Sequence, residues 1–159
     1  MSDERPIPVK RLNHAVLYVR DVDRSVGFYR EAFGFEVIEQ IPGKAAFLRA
    51  AGSDNHHDLG LFSVGASAPS APPGAVGLYH LAWEVASIHD LAGARLTLGR
   101  LGALVGQSDH GATKSLYGRD PDGHEFEVMW MVPRAQWGEH EHSAGVAPLD
   151  LEAEVARHG

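Results

Sequence analysis

Three side chains that could hold a divalent metal ion stand in apolar, strand-like segments. His14 lies in LNHAVLYV, His80 in LYHLAWEV, and Glu127 in the middle of EFEVMWM. An unpaired carboxylate among apolar neighbours is costly, so Glu127 needs a partner. Two neutral imidazoles and one carboxylate can bind a metal on one face and leave positions open for substrate and O₂, which suits Fe(II). The same ligands also accept Mn, Ni or Zn, so they leave the metal unsettled.

Each of these residues also has a simpler explanation when it is taken alone. A histidine in a strand is more often a hydrogen-bonded core residue than a ligand, and Glu127 could be held by a salt bridge. The case for a metal site depends on the three residues together and on their positions in the chain.

Composition narrows the classes of protein and of site. The 159 residues fit one domain, and 14 Lys and Arg against 21 Asp and Glu give a net charge of −7, which argues against nucleic acid or an anionic membrane as partner. The absence of cysteine excludes disulfides and thiolate chemistry, so the ten histidines and the carboxylates must supply any transition-metal ligands. The polar start and the lack of a long apolar run predict a cytoplasmic protein.

The predicted elements occur twice in the same order, strand-helix-strand-strand-strand. Asp21 and Ser87 are predicted N-caps, and Gly34 is a predicted end of the first helix. The predicted strands cover 12–19, 35–40, 45–50 and 57–64 in the first half, and 78–85, 103–107, 113–118 and 124–131 in the second. The second helix is expected to run from residue 88 to about 101.

Matched residues in the two halves indicate an internal duplication. His14 pairs with His80 at an offset of 66, and His57 pairs with His124 at an offset of 67. The second offset makes Gly60 the counterpart of Glu127. We therefore predict an α+β fold in which two βαβββ modules form one open, cup-shaped mixed β-sheet around a metal site.

The domain boundaries follow from this duplication. A single domain is predicted over 11–132, with module 1 at about 11–64, a linker rich in small residues and proline at 65–77, and module 2 at about 78–132. The tail at 133–159 has too few apolar residues to fold alone, so we expect it to dock on the domain or on a partner subunit.

Two local sequences, FYREAFGFEV and DPDGHEFEV, resemble the vicinal oxygen chelate superfamily, which includes glyoxalases, bleomycin resistance proteins and dioxygenases. The resemblance covers about residues 11–132 and is greatest to the type I extradiol (catechol 2,3-) dioxygenases. It implies that His14, His80 and Glu127 are the metal ligands. Gly60 cannot coordinate a metal and departs from the four-ligand pattern of glyoxalase I.

The same resemblance implies roles for three further residues. His57, in HHDLGLF, corresponds to an acid-base histidine, and His110 and Tyr117, in HGATKSLYGRDPDG, correspond to residues that hydrogen-bond to the substrate oxygens. Taken alone, His57 would more often be a solvated loop residue, His110 could stabilise a turn, and Tyr117 could be an ordinary core tyrosine.

The resemblance implies an Fe(II)-dependent dioxygenase, with Mn(II) or another divalent metal as alternative, that opens a catecholic ring with O₂. One alternative function is a glyoxalase-type lyase or isomerase, and another is a small-molecule binding or resistance module. Trp83, Phe47 and Trp130 are candidate pocket walls. His124, the counterpart of His57, is a candidate supporting residue. We expect a homodimer, with neither nucleic acid nor membrane as partner.

Overall fold

The computed structural model describes residues 6–159, in which each module has the predicted element order. The first module comprises β1 (Ala15–Val19), α1 (Val22–Phe33), β2 (Glu36–Ile41), β3 (Ala45–Arg49) and β4 (Leu59–Ser63). The second comprises β5 (His80–Glu84), α2 (Ile88–Arg100), β6 (Leu104–Asp109), β7 (Thr113–Arg119) and β8 (Glu125–Met131). Two 3₁₀ helices, Arg134–Gln136 and Gly138–His142, and α3 (Leu151–His158) follow.

The helix ends are set by local chemistry, as predicted. The Asp21 side chain accepts hydrogen bonds from two backbone amides in the first turn of α1, and the Ser87 hydroxyl accepts one at the start of α2. Gly34 ends α1 in the left-handed region at φ 66°, where glycine has no steric penalty. These caps confirm three of the four predicted helix ends, and α2 ends at Arg100, next to the predicted fourth.

Each module has its own four-stranded mixed sheet. The strand orders are β1-β4-β3-β2 and β5-β8-β7-β6. Each sheet has one parallel pair, β1 with β4 in the first sheet and β5 with β8 in the second. The other neighbours are antiparallel. The prediction of an α+β fold with two βαβββ modules is confirmed.

Strand register confirms the duplication residue by residue. Val16 is paired with Gly60 in the first sheet, and Ala82 is paired with Glu127 in the second. Adding 66 to the number of the first residue and 67 to that of the second converts one pair into the other. Gly60 therefore occupies in module 1 the place that Glu127 occupies in module 2.

The two faces of each sheet have different surroundings. In module 1, Leu48, Leu59 and Leu61 are fully buried on the face that α1 covers. Alternation along a strand then places Val16 and Gly60 on the opposite face, where Val16 is exposed. In module 2 the corresponding alternation places Glu127 on the face that α2 does not cover.

Six of the eight strands begin one to three residues later than predicted, and in two of them the delay leaves His14 or His57 outside the strand. The pairing of β1 begins where the Ala15 amide donates to the Asp58 carbonyl, so His14 precedes the strand. His57 likewise precedes β4, which begins at Leu59. Both histidines therefore lie in loops, because ladder hydrogen bonds begin only after them.

The chain divides into two compact units, Met1–Ala68 and Pro69–Gly159. The boundary falls inside the predicted linker, and the tail belongs to the second unit. There α3 packs on α2, and Ala147 forms a β-bridge with Asp109 of β6. Among residues 6–159, no helix has the length and apolar character needed to cross a membrane.

Candidate metal and catalytic site

His80 and Glu127 meet on the face of the second sheet that α2 leaves uncovered. They lie on the parallel strands β5 and β8, where His80 is paired with Glu125 and Ala82 with Glu127. The His80 Nε2 atom lies 3.1 Å from the Glu127 Oε2 atom, and the Glu127 side chain is only 12% exposed. The His80 imidazole is thus a partner for the Glu127 carboxylate, which its apolar neighbours in the sequence predicted to need one.

The spacing of these two atoms fits adjacent ligands of one metal ion. Nitrogen and oxygen ligands about 2.1 Å from a metal, at right angles to each other, are about 3.0 Å apart. The Nδ1 atom of His80 is buried and has no hydrogen-bond partner, so the ring's polar contact is made on its Nε2 side. An imidazole and a carboxylate are also the donor types that Fe(II) and Mn(II) accept.

Tyr117 and His110 lie beside this pair in the same unit. Tyr117 is paired with Glu127 across β7 and β8, and its ring centroid is 5.8 Å from that of His80. The Tyr117 hydroxyl lies 2.8 Å from His110 Nε2, and His110 Nδ1 lies 2.8 Å from the Gly145 carbonyl oxygen. Burial raises the pKa of the Tyr117 hydroxyl, and the Glu127 charge raises it further, so the phenol keeps its proton at neutral pH.

His14 and His57 are neighbours in the first unit. Their ring centroids are 4.6 Å apart, and Phe47 packs edge-on against His57 at 5.1 Å. The His14 Nδ1 atom lies 2.8 Å from the Asn13 side-chain oxygen, which can only accept, so Nδ1 carries the proton and Nε2 keeps its lone pair. Burial lowers the pKa of His57, and the neighbouring histidines His14 and His56 lower it further.

A hydrogen-bond network around Asp58 holds the loop that brings His57 to His14. Its carboxylate accepts hydrogen bonds from the Ala50 amide at 2.8 Å, the Ser53 hydroxyl at 2.9 Å and the Asn55 side chain at 2.7 Å. Asn55 also donates to the Asn13 carbonyl at 2.8 Å. Sequence reasoning did not identify this network, although the Asn and Asp residues around the two histidines are typical of such loops.

The structure therefore places the predicted site residues in two groups. His80, Glu127, Tyr117 and His110 are together in the second unit, and His14 and His57 are together in the first. Among residues 6–159, no group of three or more histidine and carboxylate side chains has the arrangement of a metal site. The three-residue ligand set stays a prediction.

Two other predicted residues have local partners. His124 Nδ1 lies 2.9 Å from Asp120 Oδ2, and the Asp120 carboxylate also accepts from the Asp122 and His124 amides. These bonds hold the DPDG turn that leads into β8. Gly145, which sequence reasoning missed, contacts His110 through its backbone carbonyl, and no side chain marks that role.

A family comparison agrees with this fold. Residues 11–128 match the model of the Glyoxalase/Bleomycin resistance protein/Dioxygenase superfamily. The chain belongs to this superfamily. The match includes both modules and every predicted site residue, so the resemblance expected from the local sequences is confirmed.

Individual relatives include dioxygenases and a lyase. The chain is 31% identical over 127 residues to the catechol-2,3-dioxygenase of Bacillus subtilis (strain 168), a match that covers 79% of this chain and 43% of the relative. It is 33% identical over 121 residues to biphenyl-2,3-diol 1,2-dioxygenase 3 of Rhodococcus globerulus, covering 75% and 62%. It is also similar to the crystal structure of lactoylglutathione lyase from Agrobacterium tumefaciens, with TM-score 0.59, 26% identity, and coverage of 78% and 96%.

The chain therefore spans less than two-thirds of the length of these two dioxygenases. Their names describe dioxygenases that are longer than this chain. The particular substrate and metal of this chain are matters for proposal.

Proposed function

We propose that the protein is a metal-dependent extradiol dioxygenase that opens a catecholic ring with O₂, using Fe(II) or alternatively Mn(II). The proposed ligands are His14, His80 and Glu127. The observation that carries the proposal is the approach of His80 Nε2 to Glu127 Oε2 at 3.1 Å, with the hydrogen-bonded Tyr117 and His110 beside them. The names of the two dioxygenases support the reaction class.

A divalent metal held by these ligands would supply a Lewis acid at which the diol and O₂ can meet. Two neutral imidazoles and one carboxylate leave enough open positions for both. The lone pair on His14 Nε2 supports the inclusion of that residue, because its Nδ1–H is already bonded to Asn13.

Tyr117 and His110 would manage the proton of a substrate hydroxyl. The Tyr117 phenol keeps its proton because burial and the Glu127 charge raise its pKa, and it donates that proton to His110 Nε2, so the phenol oxygen can accept a hydrogen bond from a substrate hydroxyl. His110 Nε2 accepts from Tyr117, so a proton that reaches the phenol oxygen can pass on to the imidazole.

His57 would serve as the second acid-base group. Burial lowers its pKa, and the charges of His14 and His56 lower it further, so the ring is neutral near pH 7 and can accept a proton. Phe47 and His14 fix the ring on two sides. A histidine that is held in place and neutral suits a residue that takes up a proton and returns it within one turnover.

A lyase or isomerase of the glyoxalase type is the second candidate, supported by the 26% identity to the lactoylglutathione lyase structure. Gly60 argues against it. The strand register makes Gly60 the counterpart of Glu127, and a glycine supplies no fourth ligand at that place. A pure binding module is the third reading, and it gives no reason for His80 and Glu127 to converge.

The decisive experiment is anaerobic loading with Fe(II) or Mn(II), followed by air-saturated buffer and a panel of catechols. We expect a yellow ring-opened product and matching O₂ uptake. The glutathione adduct of methylglyoxal, added in parallel, should not be isomerised. Isomerisation of that adduct without O₂ uptake would establish the lyase reading, and neither activity with any loaded metal would favour the binding module.

Elemental analysis tests the ligands separately from the activity. Glu127→Gln keeps the side-chain shape but removes the charge, so it should bind much less metal than wild type. The matched control is Glu39→Gln, which alters an exposed glutamate in β2 and should leave metal binding unchanged. Full metal retention by Glu127→Gln would contradict the ligand assignment.

A further inference from the structure

The C-terminal tail is fastened to the chain on both sides of His110. On one side, Asp109 and Ala147 exchange two backbone hydrogen bonds of 2.9 and 2.8 Å. On the other side, the His140 ring lies so close to Gly111 that a Cβ atom there would collide with it. Residues 109–111 are therefore held from both sides by residues 140–147.

Sequence favours this arrangement at the bridge. Ala147 precedes Pro148, and a residue before proline is disfavoured in helical conformations and favoured in extended ones. In an extended residue the amide and carbonyl groups point perpendicular to the chain direction, toward a neighbouring strand, as a β-bridge requires. The bridge in turn places the Gly145 carbonyl next to the His110 ring.

The Gly145 carbonyl determines which nitrogen of His110 carries the proton. A carbonyl oxygen can only accept a hydrogen bond, so at 2.8 Å the His110 Nδ1 atom must be the donor. In a neutral imidazole the other nitrogen, Nε2, is then an acceptor. The Tyr117 hydroxyl, 2.8 Å from Nε2, must therefore donate to it.

We propose that the tail is a positioning element for the active site, and that the Gly145 carbonyl fixes the His110 tautomer in which Nε2 accepts the Tyr117 proton. The tail gives the proton path a direction, from Tyr117 to His110. Without the carbonyl, either nitrogen of His110 could carry the proton. A ring protonated at Nε2 would present a donor to Tyr117 and could no longer accept its proton.

The tautomer is a property of the protein atoms and can be measured without turnover. Full-length metal-free protein labelled with ¹⁵N-histidine gives ring-nitrogen chemical shifts that distinguish a protonated from an unprotonated nitrogen. The signals of His110 are identified by their loss in His110→Asn. At a pH where the ring is neutral, we expect Nδ1 to be protonated and Nε2 unprotonated in wild type.

Ala147→Pro breaks the bridge, because proline has no amide hydrogen to donate to Asp109. The control is Ala144→Pro, which lies outside the bridge and follows Ser143, whose backbone at φ −134° and ψ 142° already suits a residue before proline. We expect mixed tautomers in Ala147→Pro and the wild-type tautomer in Ala144→Pro. If circular dichroism shows that Ala147→Pro does not fold, Ala147→Gly and Ala144→Gly replace the pair. Glycine keeps the amide but loosens the extended backbone of the bridge, so we then expect a smaller share of the second tautomer in Ala147→Gly and none in Ala144→Gly.

The catalytic consequence rests on the proposed dioxygenase function, whereas the tautomer does not. In the metal-loaded enzyme, Ala147→Pro should lower kcat about tenfold or more with little change in KM, since full loss of an acid-base group costs about a hundredfold or more. A wild-type His110 protonated at Nε2, or an unchanged tautomer in the bridge variant, would overturn the inference. Failure of the dioxygenase assay alone would instead count against the proposed function.

Discussion

Lys114, in β7, is a buried cation whose loss should be among the most destabilising single changes in module 2. Its side chain is 6% exposed, and its Nζ atom lies 2.7 Å from Asp109 Oδ1 and 3.5 Å from Glu154 Oε2. Glu154 belongs to α3, and Asp109 forms the β-bridge with Ala147. The Lys114 ammonium group therefore connects β7 to α3 and to the bridged segment of the tail. Lys114→Met keeps most of the apolar stem and removes the charge.

The expected cost follows from what the change leaves behind. Removing one partner of a buried ion pair typically costs about 3–5 kcal/mol, because the other charge stays buried. Glu154 keeps Arg157 at 3.1 Å, and Asp109 is 24% exposed and can recover water, so we expect the lower end, about 3 kcal/mol. In a chain of this size, each kcal/mol lowers Tm by about 2–4 °C, so Tm should fall by about 6–12 °C.

Thermal unfolding at pH 7, followed by circular dichroism, measures this change. Lys44→Met, which alters an exposed lysine, is the matched control and should move Tm by no more than about 2 °C. Adding Glu154→Gln to Lys114→Met should restore part of the loss, because one of the two carboxylates that lost the ammonium group is then neutral. A Lys114→Met protein that melts with the wild type would refute the reasoning that this cluster holds the tail.

Three further predictions test other parts of the structure. Gly60→Glu should raise metal affinity and abolish the proposed ring opening, since it adds a carboxylate at the place equivalent to Glu127, a proposed ligand. Gly60→Leu controls for bulk and should bind metal no better than wild type. Burial raises the pKa of Asp120, but hydrogen bonds from its turn lower it more, so the net pKa lies below the ordinary value and the ionised carboxylate stabilises the fold. The loss of stability in Asp120→Asn, measured by urea unfolding, should therefore shrink as the pH falls below about 4. Gly118→Ala should lower Tm by several degrees because a Cβ there would collide with the Phe126 ring, whereas Gly106→Ala, with ordinary contacts from 3.8 Å, should be tolerated.

The helices and the duplication could be predicted because their signals are local and repeated. Asp21, Gly34 and Ser87 act at the ends of their own helices, and hydrogen bonds or backbone angles confirm each of them. The offsets of 66 and 67 depend only on counting residues, and the strand register reproduces both. Signals of this kind are independent of how distant parts of the chain pack.

The first residues of strands were harder to predict, because a strand begins where a neighbour supplies ladder hydrogen bonds. The apolar alternation around His14 continues into β1, yet pairing starts only at Ala15. The loop before β4 is likewise defined by Asp58, whose three acceptor bonds come from residues five to eight positions earlier and from Asn55. Periodicity alone does not reveal these partners.

In the candidate site, likewise, side-chain types could be read from the sequence, whereas a contact made by a backbone group could not. His80 and Glu127 could be predicted from the sequence because each is a polar residue in an apolar strand, and Tyr117 because HGATKSLYGRDPDG resembles a known family. The contact that orients His110 comes from the Gly145 carbonyl, a group that every residue possesses. Its position depends on a single bridge between Asp109 and Ala147, which are 38 residues apart in the chain.

The paired modules show how one scaffold can present different side chains at the same backbone position. Phe47 is paired with Gly60 in module 1, just as Tyr117 is paired with Glu127 in module 2. The backbone positions are the same, but module 1 has an aromatic ring without a hydroxyl and a residue without a side chain. Because the registers agree, the difference in chemistry depends on these side chains rather than on the fold. A change at Gly60 or Phe47 therefore tests function with little change in strand pairing, whereas a change in register would move every side chain to the other face of its sheet.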